Sequence, residues 1–353
     1  MFLHQNARQV PFNSGQTVSM SVLERRPKVA DVAARAGVSV ATVDRVINGR
    51  GGVHRKTVER VEGVIRQMIG ADRPAIVAPT LRFDALLSGD GGQATRSLAQ
   101  ALVGAGEAAC AQVDVAFVET MNPAALAAQL RGCAQRGSAG VAVQVLDHAL
   151  VREAIEDLLR AGIPVASVLT DIAGVDRLAY VGLDNRAAGR SAGFLMGRFC
   201  RRAGKLAVVW GGQLYRSHEE RESGFRSILR SERPDLQCLE VITGNDNPAV
   251  TRARVGAAIA GHPDLVGLYC VGGGVAGAAE AIDDAGLSQS LVMIGHNCNA
   301  ETRPYLLSGT IDAVIHQDMT RIADIALKCL SAKSGLNAGI PIEIVTRENV
   351  MYR

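Results

Sequence analysis

The chain of 353 residues is poor in aromatic side chains, which make up 4% of it and include a single Trp. Its seven cysteines lie far apart without a C-x-x-C pair, which argues against a disulfide framework or a zinc site. No apolar run reaches the about 18 residues that a membrane span requires, and the amino-terminal segment has no apolar stretch typical of a signal peptide. These absences predict a cytoplasmic protein with reduced thiols.

Motifs of catalysis are also lacking, since the chain has no G-x-S-x-G, no H-E-x-x-H and no P-loop lysine. His296 and Cys298 have no matching ligand pair that would complete a metal site. Residues 272–277 spell G-x-G-x-x-G, but the following strand ends in His296-Asn297 without the carboxylate that a dinucleotide ribose requires. We therefore predict no enzyme activity, no metal and no cofactor. An α/β nucleotide-binding protein or enzyme with a vestigial headpiece remains the alternative.

The net charge of +3 hides an uneven distribution along the chain. Residues 25–73 carry eleven Lys or Arg against five Asp or Glu, a balance of +6, which leaves −3 for residues 74–353. A length of 353 residues leaves room for two or three domains. A basic head on a mildly acidic body is typical of a DNA-binding module joined to a separate sensor.

Residues 29–61 carry the most specific pattern in the chain. Apolar residues at helical spacing predict a first helix over residues 29–36, which Gly37 ends because glycine tolerates positive φ. Ser39 is placed to cap a second helix that runs to about Asn48, and a third helix is expected from about residue 55 to 69. The side chains expected to be buried on the second helix are those of Val43, Val46 and Ile47. Two short helices joined by a tight turn form a helix-turn-helix.

This stretch, D-V-A-x-x-A-G-V-S-x-x-T-V-x-R-V-I-N-G followed by V-H-x-x-T-x-x-R-V, resembles the DNA-binding headpiece of the LacI/GalR family of bacterial repressors. The resemblance implies that the second helix enters the major groove and that Val40, Ala41 and Arg45 face base edges. It also implies phosphate contacts from Ser39, Thr42, Asn48, His54 and Thr57. An arginine fork suits guanine acceptors, and small hydroxyls and amides suit phosphates. The sequence departs from the family at Asp44, where a Ser is usual. A three-helix bundle that does not bind DNA is the alternative.

The segments on either side of the headpiece have different patterns. Residues 1–25 are polar and aperiodic, which predicts a disordered tail. The family usually has a short helix in the linker that wedges a Leu into the minor groove. Here Pro74 and Pro79 bracket four residues in the predicted linker 71–80, so we expect an extended linker without that helix.

From residue 81 onward, apolar runs alternate with amphipathic stretches, which predicts parallel sheets covered by helices on both faces. Ten strands are expected, at residues 81–87, 113–118, 140–146, 164–169, 178–181, 205–210, 237–242, 265–271, 291–295 and 311–316. The stretches DHALVREAIEDLLRAGIPVAS, YVGLDNRAAGRSAG, EERESGFRSIL and IDAVIHQD resemble the periplasmic-binding-protein-like sugar-sensing domain of the same family.

The predicted fold is thus an all-α helix-turn-helix headpiece, residues 26–70, followed by an α/β body of two doubly wound parallel-sheet lobes. Lobe 1 is expected at about 81–184 and 318–338, and lobe 2 at about 185–316 and 339–353.

Ligand sites in open α/β sheets lie at the carboxyl ends of the strands. The candidates at those ends are Ser88, Asp90, Gln93, Asp171, Asp184, Arg221, Asn297 and Gln317. The resemblance implies that Arg221 grips sugar hydroxyls and that Gln317 lies where the chain crosses between lobes. A helix cap or a solvated loop residue is the alternative for each. The usual Asn-Asp after the strand at 265–271 is replaced by Gly272-Gly273-Gly274, so the specificity of relatives cannot be transferred.

Together these patterns predict a ligand-responsive transcriptional regulator that represses by binding a near-palindromic operator in double-stranded DNA as a homodimer, with a tetramer as the alternative. Its effector is expected to be a sugar, polyol or sugar acid bound between the lobes.

Overall fold

A computed structural model describes residues 29–47, 53–71, 81–89, 92–119, 121–335 and 339–352. The chain divides into two compact units, Met1–Pro79 and Thr80–Arg353. The predicted tail, Asn48, residues 72–80 of the predicted linker and Asp90 lie outside the described residues.

The first unit contains three helices, α1 (Val29–Ala36), α2 (Val40–Ile47) and α3 (Arg55–Ala71). Gly37 has a φ of +60°, and the amide of Val38 donates to the carbonyl of Ala33 at 3.1 Å, so the chain turns sharply between α1 and α2. The buried core of this unit consists of Val32, Ala33, Ala36, Val43 and Val61. The expected helix-turn-helix is therefore present. Ile47, predicted to be buried, is instead 53% exposed because the last turn of α2 carries it past this small core.

The second unit contains two sheets. The first has the order β2-β1-β3-β4-β5 and is parallel throughout. Its strands are β1 (Arg82–Ser88), β2 (Gln112–Val118), β3 (Val141–Val143), β4 (Val165–Val168) and β5 (Ala179–Val181). The helices between them are α4 (Gly92–Ala108), α5 (Pro123–Gln135) and α6 (Ala149–Arg160). Strand β3 in the middle of the sheet is fully buried, as expected for a parallel strand covered on both faces.

The second sheet has the order β11-β10-β9-β8-β6-β7. Its strands are β6 (Gly204–Trp210), β7 (Leu236–Thr243), β8 (Leu265–Cys270), β9 (Val292–His296), β10 (Ala313–His316) and β11 (Glu343–Val345). The remaining helices are α7 (Asn185–Phe199), α8 (Arg216–Glu232), α9 (Pro248–Gly261), α10 (Val275–Asp284), α11 (Arg303–Ser308) and α12 (Met319–Ala332), and a short 3-10 helix follows at Val350–Tyr352. The predicted class of two parallel α/β sheets is confirmed. Strand β11, which pairs antiparallel with β10, was not predicted because its residues, Glu-Ile-Val, do not form an apolar run.

The chain passes between the two sheets three times. It leaves the first sheet after β5, and α12, which follows β10, returns to pack against α4, β4 and β5. It then passes back to the second sheet at β11. We refer to the parts built on the first and second sheets as lobe 1 and lobe 2.

Helices α7 and α8 cross so closely that glycines are required at their contact. A Cβ on Gly189 would overlap the backbone carbonyl of Arg221, and a Cβ on Gly193 would overlap the side chain of Ile228. On the opposite helix, a Cβ on Gly224 would overlap the carbonyl of Arg186. This backbone-to-backbone contact determines where α8 presents Arg221.

We expect Gly189→Ala to lower the free energy of unfolding by about 1–3 kcal/mol, because the added methyl group meets backbone rather than a flexible side chain. The measurement is urea unfolding followed by circular dichroism. Gly256→Ala in α9 is the matched control, since its Cβ would meet nothing within 4 Å. That control should raise stability by up to about 1 kcal/mol through helix propensity alone. Equal effects of the two substitutions would contradict the proposed contact.

Candidate ligand cavity and headpiece surface

A polar cavity of about 370 Å³ lies where the carboxyl ends of the strands of the two lobes face each other. Lobe 1 contributes Gly89, Gly92–Arg96, Gln144, Leu169 and Thr170. The loop between β6 and α8 and the first turns of α8 contribute Tyr215, Ser217, His218 and Arg221. The other strand ends of lobe 2 contribute Asn245–Pro248, Gly272–Val275, Asn297, Asn299, Glu301 and Thr302, and Gln317 lies where the chain returns to lobe 1.

Arg221 is the most deeply buried charged group of the cavity, with 4% of the residue exposed. Its Nε donates to Oδ1 of Asn185 at 2.8 Å, and its Nη1 donates to the carbonyl of Val271 at 2.7 Å. Burial lowers the pKa of this guanidinium from its ordinary value, although an arginine remains charged in proteins. Among the described residues Nη2 has no hydrogen-bond partner. The guanidinium of Arg221 is thus held in place by two hydrogen bonds, and its Nη2 can donate to a ligand.

Gln317 and Asn297, both predicted from strand ends, lie together in the cavity wall. Gln317 is 2% exposed, its Nε2 donates to Oδ1 of Asn297 at 3.4 Å, and its Oε1 has no partner among the described residues. Asn297 has a φ of +65°, and its backbone amide donates a hydrogen bond to the carbonyl of Ile315. A buried acceptor without a partner is a costly arrangement unless a water or a ligand satisfies it. The fourth predicted residue in the lining, after Arg221, Asn297 and Gln317, is Gln93, which accepts a hydrogen bond from Nε of Arg96 at 3.2 Å.

Three predicted ligand residues lie outside the cavity lining. The amide of Ser88 donates to Oε1 of Gln144 at 3.2 Å, and the Ser88 residue is buried beside it. Asp171 forms an ion pair with Arg177 and accepts a hydrogen bond from Ser167 at 2.9 Å.

Asp184 caps α7, since its Oδ1 accepts from the amide of Ala187 at 2.9 Å. Position after a strand brings a residue to the correct edge of the sheet, but local partners decide the direction of its side chain. The capping role of Asp184 matches the alternative weighed for it.

An ion pair across the cavity was not predicted. Nη2 of Arg96 in lobe 1 lies 3.0 Å from Oε1 of Glu301 in lobe 2, and both residues line the cavity. The side chains are 52% and 41% exposed, so this pair contributes at most about 1 kcal/mol. The two residues are 205 positions apart, and nothing in the sequence pairs them.

Asp246, which was also missed, follows β7 in the segment Gly-Asn-Asp-Asn-Pro. Its Oδ1 accepts from the amide of Gly273 at 2.9 Å, in the lining of the cavity. The rule used for the other strand ends would have found this residue, because acidic and amide side chains directly follow the strand. The same carboxylate lies at the turn between β8 and α10, where the G-x-G-x-x-G reading would place a pyrophosphate, and its charge opposes that reading.

Two buried histidines accompany Arg221. His218 packs against Tyr215 with ring centroids 5.2 Å apart, and its Nδ1 lies 3.0 Å from the carbonyl of Gly212. The second histidine is His296, and its Nε2 lies 2.8 Å from the hydroxyl of Tyr269. Burial, together with the charge of Arg221, lowers the pKa of His218 to about 3 and holds the pKa of His296 well below its usual 6.5. Both rings are therefore neutral in the folded protein.

We predict that stability falls as the pH is lowered from about 6.5 to 5. The unfolded chain binds protons at these two histidines below pH about 6.5, whereas the folded chain does not, so unfolding takes up protons and acid favours it. Each histidine contributes a slope of about 1.4 kcal/mol per pH unit, measured as the free energy of unfolding in urea. His218→Asn should remove about half of the slope, and an unchanged slope would show that this ring titrates normally.

The described residues that are predicted to contact DNA lie on α2 or α3 or directly before these helices. Of these residues, Ser39, Val40, Ala41, Arg45 and His54 are exposed, and Thr42 and Thr57 are partly exposed. Val40 is 53% exposed, so the outer face of α2 carries apolar as well as polar side chains.

The ends of the helices explain how some of these side chains are held. The Oγ of Ser39 accepts from the amide of Thr42 at 3.2 Å and lies 2.8 Å from its hydroxyl. Nδ1 of His54 lies 3.4 Å from the amide of Lys56 at the start of α3. Asp44, the departure from the family pattern, is exposed on α2 between these residues.

In the part of the chain that the structure describes, no helix is long and apolar enough to cross a membrane. No group of three or more His, Cys, Asp or Glu side chains in the same part could hold a metal ion.

Solved structures share the fold of the body. XylFII superposes with a TM-score of 0.70 at 19% identity, over 76% of this chain and 99% of that chain. GanP, a glucose-galactose binding protein from Geobacillus stearothermophilus, gives 0.71 at 20% identity over 76% and 98%. A solute-binding protein of an ABC transporter from Burkholderia graminis, in complex with D-arabinose, gives 0.73 at 17% identity over 78% and 98%. The body thus has the same fold as these proteins. No curated protein matches by sequence.

Two family patterns match the chain in tandem. Residues 28–68 match the bacterial regulatory proteins of the lacI family, and residues 91–335 match the periplasmic binding protein domain. The chain belongs to the lacI type of bacterial regulatory protein, with a periplasmic binding protein domain as its body. Both domains are of binding rather than enzymatic types.

Proposed function

We propose that the protein is a cytoplasmic transcriptional repressor whose affinity for an operator depends on a small effector bound between the lobes. The observation that carries the proposal is the exposed face of α2, with Arg45 and Val40 directed away from a headpiece core that is otherwise closed. Arg45 and Val40 are thus available on the surface of the helix-turn-helix for contact with DNA. In the major groove, the same face offers an arginine fork for guanine and methyl groups for thymine.

Operator binding requires two headpieces. We propose a homodimer that binds a near-palindromic site, with one α2 in each of two successive major grooves. Ser39, Thr42, Asn48, His54 and Thr57 fix the register on the phosphates. The positive charge of residues 25–73 supports this role, because phosphate neutralisation drives association.

The effector is proposed to be a sugar or a related polyhydroxylated molecule. Support comes from the lining, which places a rigid donor, Arg221, and an unsatisfied acceptor, Gln317 Oε1, in one cavity between two lobes. Proteins with the same fold bind glucose, galactose or D-arabinose.

For the effector to act on DNA, it must bind the two arrangements of the lobes unequally. The ion pair between Arg96 and Glu301 spans the cavity and is a contact that lobe movement would break. Because prolines interrupt the linker, we propose that coupling acts through the spacing of the headpieces rather than through a folding hinge helix.

The DNA half of the proposal is tested with Arg45→Ala. The wild-type chain first selects a duplex from a random pool, and binding is then measured by fluorescence anisotropy at one salt concentration. The variant should lose about 1–3 kcal/mol of preference for the selected duplex while it keeps most of its affinity for unrelated DNA. Arg347→Ala, which removes an equally exposed charge from the body, is the control and should change neither value. Retention of the full preference by Arg45→Ala would contradict the assignment of α2 as the reading helix.

The effector half is tested by a thermal-shift screen of the full chain against sugars, polyols and sugar acids. For a compound that stabilises the protein, Gln317→Met should weaken binding by about three- to tenfold, because an acceptor is removed. The variant alone should unfold near the wild-type temperature, since Oε1 has no protein partner among the described residues and the one bond lost, from Nε2 to Asn297, is long at 3.4 Å. Gln289→Met, the same change at an exposed position outside the cavity, serves as the control. Unaltered affinity in Gln317→Met would exclude Gln317 from the binding site.

A further inference from the structure

Asp246 occupies an unusual position in the loop between β7 and α9. It is 7% exposed although it lies in a loop, and both it and Asn245 have a positive φ, of 52° and 53°. L residues rarely adopt this conformation, and Asn and Asp tolerate it best. The next residue, Asn247, caps α9 through the amide of Val250 at 3.0 Å. Two successive left-handed residues at the end of a strand turn the carboxylate inward instead of leaving it in solvent.

The carboxylate packs against two glycines that follow two other strands. A Cβ on Gly211, directly after β6, would overlap Oδ1 of Asp246, and so would a Cβ on Gly273, after β8. The amide of Gly273 donates to the same oxygen at 2.9 Å. Any side chain at either glycine would displace the carboxylate, so the three strand ends are mutually adapted to hold it at the cavity.

The charges around the cavity indicate what the carboxylate does. Besides histidine and tyrosine, the described lining has two cationic side chains, Arg96 and Arg221, and two carboxylates, Glu301 and Asp246. The described lining therefore has no excess positive charge for an anionic ligand.

We propose that Asp246 determines the specificity of the cavity, by accepting hydrogen bonds from hydroxyls of a neutral sugar or polyol and by excluding sugar acids. The inference rests on the proposed function of the cavity as an effector site. Hydroxyls donate strong hydrogen bonds to a charged acceptor, whereas a ligand carboxylate would be repelled by a like charge in a poorly solvated site. The residues directly after β8 and β9 are glycines 272–274 and Asn297, and the Glu301 carboxylate further along the β9 loop pairs with Arg96, so the β7 loop supplies a second carboxylate to the lining.

The test measures binding of neutral aldoses and alditols, and of the aldonic and uronic acids that correspond to them, to the full chain by thermal shift and titration calorimetry. The test variant is Asp246→Asn, which retains an oxygen for the amide of Gly273 and a side chain suited to positive φ. Asp246→Gly is a second variant that tolerates the same backbone and removes the acceptor entirely. Asp184→Asn makes the same charge change at a helix cap outside the cavity and serves as the control. The unfolding temperature of each variant without ligand is recorded first.

Neutral compounds should bind the wild type, and the matching acids should bind at least tenfold more weakly, on the order of the effect of one charged hydrogen bond. Asp246→Asn and Asp246→Gly should both weaken the affinity for the neutral compound by about tenfold or more. Both should also reduce the difference in affinity between the neutral compound and its acid, while Asp184→Asn changes neither value.

The proposal is overturned if an acid binds the wild type as tightly as its neutral counterpart, or if neutral binding survives in both Asp246 variants. In either case the cavity still binds a ligand and the proposed function stands. If no compound of either class binds the wild type, the effector class of the proposed function fails, and the assignment of Asp246 fails with it.

Discussion

Arg221 is a buried cation that two closely crossing helices hold in place, and the geometry of the cavity depends on it. Burial of a guanidinium is costly unless its donors find partners, and Asn185 of α7 and the carbonyl of Val271 accept from Nε and Nη1, which leaves Nη2 for a ligand. The contact is possible only because α7 carries Gly189 where the backbone of Arg221 passes. The packing of the two helices, the position of the buried charge and the geometry of the ligand cavity therefore depend on one another.

The same buried charge explains the chemistry around it. Burial, together with this charge, lowers the pKa of His218 and of His296, so these neutral rings act as hydrogen-bonding and packing groups rather than as further cations. Arg221 is also a hydrogen-bond donor in the same cavity as two acceptors, the amide oxygen of Gln317 and the carboxylate of Asp246. A polar cavity built from one fixed donor and separate fixed acceptors suits a molecule with several hydroxyls, because each hydroxyl both donates and accepts.

Much of the fold could be predicted from local patterns. The headpiece depends on contacts between residues close in sequence, such as those of Gly37 after α1 and Ser39 before α2. A local sequence motif is therefore enough to predict its helices. The ten predicted strands of the body stand out as apolar runs between amphipathic stretches, and the parallel class follows from their alternation. Strand β11 is different, since its three residues form a strand only because β10 offers a free edge.

The candidate site could be predicted only in part. Position after a strand correctly brought Arg221, Asn297, Gln317 and Gln93 to the cavity, but the same reasoning also selected Asp171 and Asp184, whose side chains are taken by Arg177 and by the end of α7. By itself, the sequence determined the class of each domain, because periodicity and turn residues act over a few positions. Only the tertiary structure decided which strand ends share one cavity, that Arg96 meets Glu301, and that glycines of two strands make room for Asp246. Those contacts join residues far apart in the chain, and no local pattern records them.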